Sequence, residues 1–293
     1  MLSSLCFHTK LFFLMETRSI YYRDGSSNKA SVFTAASTAK AIIICLPAMG
    51  VRASYYRDFA QALSEQAFHV VTIDWRGHGQ SNLRAGRAID FGYEELVEDL
   101  SELLDYTENW FSVMPVYIVG HSLGGQIASL CAARYPGSIQ GLILIASCSV
   151  YYEGWEKKGA WRVWLAAKLF HPLSKIVGYF PGKVIGFGGR EARKVMHDWC
   201  YNGLYGKYRL ADSPFDYEAA LAKMETPSLA ISIQDDEMAP RKAMDNLVEK
   251  FAPTAARRHL ELSDSTKNES PYNHFNWAKQ HQEVIQQIIA WIP

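Results

Sequence analysis

The sequence predicts an α/β protein: a mostly parallel sheet of eight strands with helices on both faces. The first observation is that short, nearly continuous apolar segments alternate with amphipathic segments along most of the chain. Apolar strands of this kind suit a parallel sheet, because helices cover both of its faces. The second is a hairpin signal near the N-terminus. The third is an ordinary globular composition, 293 residues of which 48% are hydrophobic and 20% charged.

The predicted hairpin supplies the first two strands. Segments 17–23 and 30–36 are rich in β-forming residues and flank the turn-rich sequence DGSSN. The next elements are predicted in this order: strand 41–46, helix 55–67, strand 70–74, helix 92–111, strand 116–120, helix 123–135 and strand 141–147. The series ends with strand 228–233, helix 240–251, strand 257–262 and helix 276–291. Regular strand–helix alternation is typical of a doubly wound α/β sandwich.

Residues 148–226 interrupt this alternation and are predicted to form a helical cap, or lid, inserted between two strands of the sheet. The interruption holds two helix-like segments, 161–171 and 191–201, and four of the eight tryptophans. The core is accordingly predicted to comprise residues 17–147 and 227–293.

Three aromatic residues of the predicted cap, Trp155, Trp161 and Trp164, are candidate substrate-binding residues. Ligand pockets are mostly apolar and favour the interfaces between domains. The alternative is that these aromatic side chains only pack the cap onto the core.

Residues 1–16 are predicted to be an N-terminal extension of the core. The start MLSSLCFHTKLFFLMETR resembles a signal peptide in its apolar content, but Lys10 interrupts the apolar run. A charged n-region and a small-residue cleavage site are both lacking. Met15 is a candidate for the true start, which would make residues 1–14 an extension of the gene model.

Composition and charge exclude several classes of protein. Thirty basic and thirty acidic residues balance, and no basic run is longer than a pair, so the basic surface typical of nucleic-acid binders is not expected. No apolar stretch approaches the ~20 residues of a transmembrane helix.

The five cysteines show no CxxC spacing and are interpreted as buried free thiols in a reducing compartment, which predicts a cytoplasmic protein. The oligomeric state stays open.

The segment Gly-His-Ser-Leu-Gly, residues 120–124, carries the strongest functional signal. It matches the pattern GxSxG, follows a predicted strand and opens a predicted helix, which is the setting of a nucleophile elbow. In such an elbow a strained turn raises the serine above the sheet, and the helix N-terminus favours developing negative charge. Ser122 is therefore a candidate nucleophile rather than a small residue that fills a tight turn.

A serine hydroxyl becomes a good nucleophile when a base removes its proton and an acid orients that base. On this kind of sheet the chain order is serine, then aspartate or glutamate, then histidine. The sequence QDDEMAP, residues 234–240, follows a late strand and offers Asp235 or Asp236 as the acid. His274 lies in the loop after the last strand and is the candidate base.

Five segments together carry a resemblance to a known family. They are LPAMGVRASYYRDFA (46–60), DWRGHGQS (74–81), GHSLGG (120–125), DDEMAP (235–240) and HFNWA (274–278). From about residue 17 to the C-terminus the chain resembles α/β-hydrolases of the monoglyceride lipase and serine aminopeptidase branch, and most of all a group of such hydrolases without an assigned substrate. The resemblance implies the α/β-hydrolase fold and acyl chemistry, and it says almost nothing about the substrate.

The resemblance also selects the acid. The family pattern places this residue four positions before a proline, which favours Asp236 over Asp235. The chain departs from the pattern at Ile233, where relatives usually carry a glycine.

The oxyanion hole implied by the resemblance consists of the backbone N–H groups of Met49 and Leu123. Many relatives carry His-Gly where this chain has Pro47-Ala48. Proline has no N–H to donate, but the matching donor is Met49, so the hole is expected to survive this departure. His121 is expected to pack beneath the elbow, and His78 to shape a loop near the site.

The predicted function is a serine hydrolase that cleaves a carboxylic ester of a small to medium, largely apolar substrate through an acyl-enzyme. Thioesterase, amidase or peptidase, and acyltransferase activities use the same triad and stay open. A non-catalytic ligand-binding protein on this fold and an interfacial lipase that docks through its cap are the remaining alternatives. No cofactor and no metal are implied, because no ligand cluster has zinc-like spacing.

Overall fold

A mixed, mostly parallel sheet forms the centre of the protein. The computed structural model describes residues 15–263 and 271–293. Within them the strands are β1 (Met15–Tyr21), β2 (Ser27–Phe33), β3 (Ala41–Leu46), β4 (Phe68–Ile73), β5 (Val116–His121), β6 (Gly141–Ile145), β7 (Phe180–Pro181), β8 (Arg190–Glu191), β9 (Ser228–Ile233) and β10 (Arg257–Leu262). Eight of these strands pair in the order β1-β2-β4-β3-β5-β6-β9-β10, while β7 and β8 pair separately. Only the β1–β2 and β2–β4 pairs of the described sheet are antiparallel, which confirms the predicted fold class.

The helices follow the strands as the alternation predicted. In the described ranges they are α1 (Arg57–Ser64), α2 (Tyr93–Phe111), α3 (Leu123–Arg134), α4 (Lys157–Val177), α5 (Gly182–Ile185), α6 (Arg193–Tyr205), α7 (Tyr217–Leu221), α8 (Arg241–Val248) and α9 (Gln282–Trp291). Helix α1 packs against β4, α3 against β5, and α8 against β9. The apolar faces of these helices therefore cover the central strands.

The central strands are buried along their whole length. Every residue of β3, β6 and β9 is buried. This is why their sequences read as continuous apolar runs such as AIIICL rather than as an alternation of polar and apolar residues. The sheet is thus a rigid platform, and loops at its carboxyl edge are placed by packed strands.

The N-terminal hairpin lies two to three residues earlier in the chain than the sequence predicts. Its turn closes with the Tyr22 N–H donating to the Ser26 carbonyl oxygen at 2.9 Å. Asn28, assigned to the turn from its residue type, lies in β2 because its side-chain amide donates to the buried Asp74 carbonyl oxygen at 2.7 Å. Met15 already belongs to β1, so the sheet begins inside the predicted extension 1–16. The interpretation of residues 1–14 concerns residues outside the described ranges.

Elements α4 to α7 lie between β6 and β9 in the chain, within the predicted cap of residues 148–226. Helix α4 packs against α6, and a cluster of aromatic rings fills the space beside them. The rings of Phe170 and Trp199 stack with centroids 5.7 Å apart, and Phe187 meets Trp199 edge-on at 5.2 Å. These contacts give the segment apolar packing of its own, while its division from the core as a cap stays a prediction.

Helix α4 extends well beyond the predicted segment 161–171. The predicted segment ends directly before Pro172, a residue that lacks the N–H of an intrahelical hydrogen bond. In the structure Pro172 lies inside the helix at an exposed position. No helix in the described part of the chain is both long and apolar enough to cross a membrane.

Candidate active site

Ser122 occupies the sharp turn between β5 and α3. Its backbone φ of 52° lies in the left-handed region, which residues other than glycine rarely adopt. Close packing explains the flanking glycines. A Cβ atom on Gly124 would lie 2.4 Å from the carbonyl oxygen of Leu46, and one on Gly120 would lie 2.4 Å from the Cα of Gly125. The turn is so closely packed that no residue larger than glycine fits at these two positions.

Strand β6 and the residues after it hold the strained turn. The Ser122 N–H donates to the Ile145 carbonyl oxygen at 3.1 Å. The Ser147 hydroxyl lies 2.8 Å from the carbonyl oxygen of Ser122 and 3.0 Å from that of Gly120. Ser147 was not predicted from the sequence, because 25 positions separate it from Ser122 and no local pattern marks it.

Asp236 and His274 form a buried hydrogen-bonded pair. The Nδ1 atom of His274 lies 2.8 Å from Oδ2 of Asp236, and the two side chains are 5% and 2% exposed. The other carboxylate oxygen accepts the N–H of Met238 at 2.8 Å. Because a carboxylate only accepts hydrogen bonds, Nδ1 of His274 is the donor of the pair, which leaves Nε2 as the ring nitrogen for proton transfer. Asp235, the alternative acid, is exposed.

The imidazole of His274 lies close to the elbow. Its ring centroid is 4.9 Å from that of His121, the residue that precedes Ser122. Within residues 15–263 and 271–293, no hydrogen bond joins the half-buried Ser122 side chain to His274. Catalytic hydrogen bonds are often long in ligand-free proteins and shorten when substrate binds.

His121 packs beneath the elbow and is neutral. Burial, and then repulsion by His274, hold the pKa of its imidazole well below the usual value. The Tyr56 hydroxyl lies 2.6 Å from Nδ1 of His121 and accepts the Ala48 N–H at 3.1 Å. The neutral ring can accept a hydrogen bond from the Tyr56 hydroxyl, and it places no positive charge beside His274. Tyr56 lies in one of the five segments that carry the family resemblance, but no local pattern marks its contact with His121, which is 65 positions away.

The two predicted oxyanion-hole residues lie in different parts of the chain. Leu123 is the first residue of α3, where N–H groups have no partner within the helix. Met49 lies in the loop after β3. In the part of the chain that the structure describes, neither N–H has a protein acceptor. Both are thus free to bind a ligand oxygen.

The loop of residues 47–50, which we term the oxyanion loop, is tied to the DWRGHG turn. The indole N–H of Trp75 donates to the Pro47 carbonyl oxygen at 2.8 Å. The carboxylate of Asp74 accepts the N–H of Ala53 at 2.8 Å and that of Gln80 at 3.1 Å. This turn is therefore a scaffold for the oxyanion loop.

His78 of the same turn pairs with Glu191 of β8. Its Nε2 atom lies 2.9 Å from Oε2 of Glu191, and the side chains are 13% and 3% exposed. Burial alone would lower the pKa of His78, but the charge and hydrogen bond of Glu191 raise it above the usual value. The pair joins two segments that are 113 positions apart, so no sequence pattern reveals Glu191.

Of the three predicted substrate-binding tryptophans, one borders the site. A groove of about 1130 Å³ runs between the start of α4 and the loop after β9, and both Trp155 and Asp236 line it. The indole N–H of Trp155 donates to the Glu237 carbonyl oxygen at 2.8 Å. Trp161 and Trp164 do not line this groove and are 61% and 39% exposed. Substrate binding by these residues stays a prediction.

Solved structures share the fold at low sequence identity. An esterase from Exiguobacterium antarcticum superposes with a TM-score of 0.61 at 14% identity, covering 94% of this chain and 98% of the esterase. A hydrolase from Pseudomonas aeruginosa superposes with a TM-score of 0.58 at 20% identity, covering 94% of this chain and 97% of the other. These likenesses establish the α/β-hydrolase fold.

Sequence comparisons establish the family. The family model described as serine aminopeptidase, S33, matches residues 37–184. Human monoglyceride lipase is 31% identical over 218 residues, which cover 72% of this chain and 70% of the lipase. The monoacylglycerol lipase of Mycolicibacterium smegmatis is 29% identical over 123 residues, 42% of this chain and 43% of that enzyme. The chain therefore belongs to the serine aminopeptidase S33 family of α/β-hydrolases and is a serine hydrolase of the esterase and lipase type.

Proposed function

We propose that the protein hydrolyses carboxylic esters through Ser122, His274 and Asp236. The Ser122 hydroxyl attacks the acyl carbonyl while Nε2 of His274 takes its proton, and Asp236 keeps the proton of Nδ1 in place. The N–H groups of Met49 and Leu123 stabilise the tetrahedral oxyanion. His274 then gives its proton to the leaving alcohol, and the acyl group remains on Ser122. Water, activated by His274, attacks the acyl-enzyme and releases the carboxylic acid.

The observation that carries this proposal is the buried hydrogen bond between His274 and Asp236 beside a strained serine. Burying a carboxylate costs free energy unless hydrogen-bond partners compensate it. The partners of the buried Asp236 carboxylate are His274 and the N–H of Met238. The left-handed φ of Ser122 is a second cost, of order 1–3 kcal/mol. Both costs are understandable if the arrangement serves to activate the hydroxyl.

The substrate class proposed is an ester of small to medium size with a largely apolar acyl group. Human monoglyceride lipase is among the relatives, which makes monoacylglycerols reasonable natural candidates. Thioesters, amides and transfer of the acyl group to another alcohol use the same residues, so a test must include them.

Steady-state kinetics on p-nitrophenyl esters of increasing chain length test the proposal. We expect turnover, with an initial burst of p-nitrophenol equal to the enzyme concentration for those esters whose acyl-enzyme is hydrolysed more slowly than it forms. Matched thioesters and anilides of the best acyl group then rank the three bond types. Ser122→Ala and His274→Ala should each abolish the burst. Faster turnover of the thioester than of the ester would reassign the substrate class, and ligand binding without any turnover would contradict the proposal.

A second candidate is action on aggregated lipid, with the predicted cap as the docking surface. Trp161, Ile176 and Val184 are 61%, 73% and 88% exposed, and a lipid surface would cover such apolar side chains. The test compares turnover of a short-chain glyceride ester below and above its solubility limit. A constant specific activity across that limit would dismiss this candidate.

The cytoplasmic location remains a proposal that the cysteines support. Cys45, Cys131, Cys148 and Cys200 are free and buried, and burial raises the pKa of each thiol. A protein with buried, unreactive thiols is suited to a reducing compartment. Fractionation of the cells that make the protein checks it.

A further inference from the structure

The oxyanion loop is in direct backbone contact with a segment of the predicted cap. A Cβ atom on Gly50 would lie 2.4 Å from the carbonyl carbon of Gly188 and 2.5 Å from the nitrogen of Gly189. On the other side, a Cβ atom on Gly188 would lie 3.2 Å from Cγ and Sδ of Met49. The two backbones are thus as close as glycine permits, and the side chain of Met49 covers the contact.

A single buried carboxylate holds that segment in place. Oε1 of Glu191 accepts the Gly189 N–H at 2.7 Å, and Oε2 lies 2.9 Å from Nε2 of His78. Glu191 is 3% exposed, so both of its oxygens depend on these partners. One residue therefore connects the backbone that touches Gly50 to the turn that supports the oxyanion loop.

Further hydrogen bonds hold residues 180–191 together. The position of Gly188 and Gly189 therefore depends on the contacts that attach this segment to the core. Phe180 pairs with Glu191 as β7 and β8 meet, and the Phe187 N–H donates to the Gly182 carbonyl oxygen at 3.0 Å. The guanidinium of Arg190 donates to the Ala85 carbonyl oxygen at 2.7 Å. A closed loop of this kind moves as a unit rather than bending locally.

We propose that Glu191 is a positioning residue for the oxyanion hole. By binding His78 and the Gly189 N–H, it holds residues 188–189 against Gly50 and so fixes the direction of the Met49 N–H. This inference rests on the proposed function, in which Met49 donates to the oxyanion. Because such a donor acts on the transition state, its misplacement lowers kcat and leaves substrate binding intact.

The test is a KM-against-kcat comparison of Glu191→Ala with two other variants on a short, soluble p-nitrophenyl ester. We expect Glu191→Ala to lower kcat on the order of 10- to 100-fold with KM nearly unchanged, since a displaced donor costs up to the loss of one oxyanion contact. Glu191→Gln keeps an acceptor for the Gly189 N–H and should recover most of kcat. Gly189→Ala keeps the Glu191 side chain but places a methyl group 2.9 Å from the His78 ring, 3.0 Å from Oε1 of Glu191 and 3.1 Å from the Gly50 Cα, so it should lower kcat in the same way.

The matched control is Asp90→Asn. Asp90 pairs with Arg193 at 3.2 Å and accepts the Lys194 N–H at 3.1 Å. It therefore ties α6, in the same predicted cap, to the core without touching the oxyanion loop. We expect this variant to keep the wild-type kcat.

The outcomes separate a positioning role from a merely structural one. Equal losses of kcat in Glu191→Ala and Asp90→Asn would overturn the inference, because loosening of the cap alone would then explain them. Unchanged kcat in both Glu191→Ala and Gly189→Ala would overturn it as well. If Glu191→Ala does not fold, the kcat of Gly189→Ala is compared with that of Asp90→Asn instead. Equal losses, or an unchanged kcat in Gly189→Ala, would overturn the inference. In each of these cases the wild type still turns over; a wild-type protein without turnover would overturn the proposed function, and this inference with it.

Discussion

Ser122 combines a strained backbone with partners that keep it strained. Its left-handed φ costs of order 1–3 kcal/mol, and the turn persists because Gly120 and Gly124 allow close packing while Ile145 and Ser147 bind its backbone. A strained turn of this kind is the setting in which a nucleophile elbow raises its serine above the sheet. At this scale chemistry depends on a few exact contacts, so single substitutions should have large and selective effects.

Replacing Asp236 by asparagine should lower kcat on the order of 10³–10⁴, because an amide that donates to Nδ1 favours the wrong tautomer of His274. The control is Asp235→Asn, an exposed neighbour with a φ of 59° that asparagine also tolerates. Its kcat should be close to wild type. Ester kinetics of both variants measure the two values of kcat. A larger loss of kcat in Asp235→Asn than in Asp236→Asn would show that Asp235 is the acid.

The sequence predicts residues that carry a local pattern and misses those that act through distant contacts. Ser122 is predicted because glycines flank it, and His274 because of its order in the chain. Tyr56, Ser147 and Glu191 were missed, since each becomes important only after folding brings it to a partner 25 to 113 positions away.

At the scale of elements, boundaries depend on side-chain contacts as much as on local propensity. Helix α4 continues through Pro172 because that residue lies on the exposed side, where solvent can bind the carbonyl group left without a partner. The N-terminal hairpin shifts because Asn28 binds Asp74. The central strands, by contrast, were predicted closely, since continuous burial imposes a continuous apolar sequence.

The packing of α4 on α6 makes a specific prediction for stability. Trp199 is 6% exposed between Phe170 and Phe187, so Trp199→Ala should lower the free energy of unfolding by about 3–5 kcal/mol. Trp161→Ala removes a side chain that is 61% exposed and should change it by less than about 0.5 kcal/mol. Urea denaturation measures both values. A similar loss in the two variants would contradict the described packing of α6.

At the scale of the whole molecule, the sheet collects the candidate site at one edge. Met49, Ser122, Asp236 and His274 lie in segments that follow β3, β5, β9 and β10. Parallel strands end at the same edge, which is where open α/β sheets bind their ligands. The strand order that brings these ends together could not be read from the sequence, whereas the alternation that makes the strands parallel could.

The ion pair between His78 and Glu191 should make global stability depend on pH. Burial, and to a smaller extent Arg84, lower the pKa of His78, but Glu191 and Asp74 outweigh them and raise it above its ordinary value of 6.5. A histidine with a raised pKa in the folded state binds its proton more tightly when folded. Its stabilising contribution is therefore complete below pH 6.5 and is lost as pH rises through the raised pKa.

The measurement is the difference in unfolding free energy between wild type and Glu191→Gln as a function of pH. We expect this difference to be largest below pH 6.5 and to shrink at alkaline pH. Burial lowers the pKa of His69, His171 and His259, but these contributions are common to both proteins and cancel. A difference that grows with pH would contradict the assignment of the pair.

The central claim is that Ser122 is an activated nucleophile, and covalent labelling tests it most directly. The folded protein is treated with a fluorophosphonate probe, and the adduct is located by peptide mass spectrometry. We expect one adduct on Ser122, no adduct in Ser122→Ala, and much slower labelling in His274→Ala, because His274 removes the proton. An adduct at another residue, or unlabelled wild-type protein under conditions that label a known serine esterase, would contradict the account.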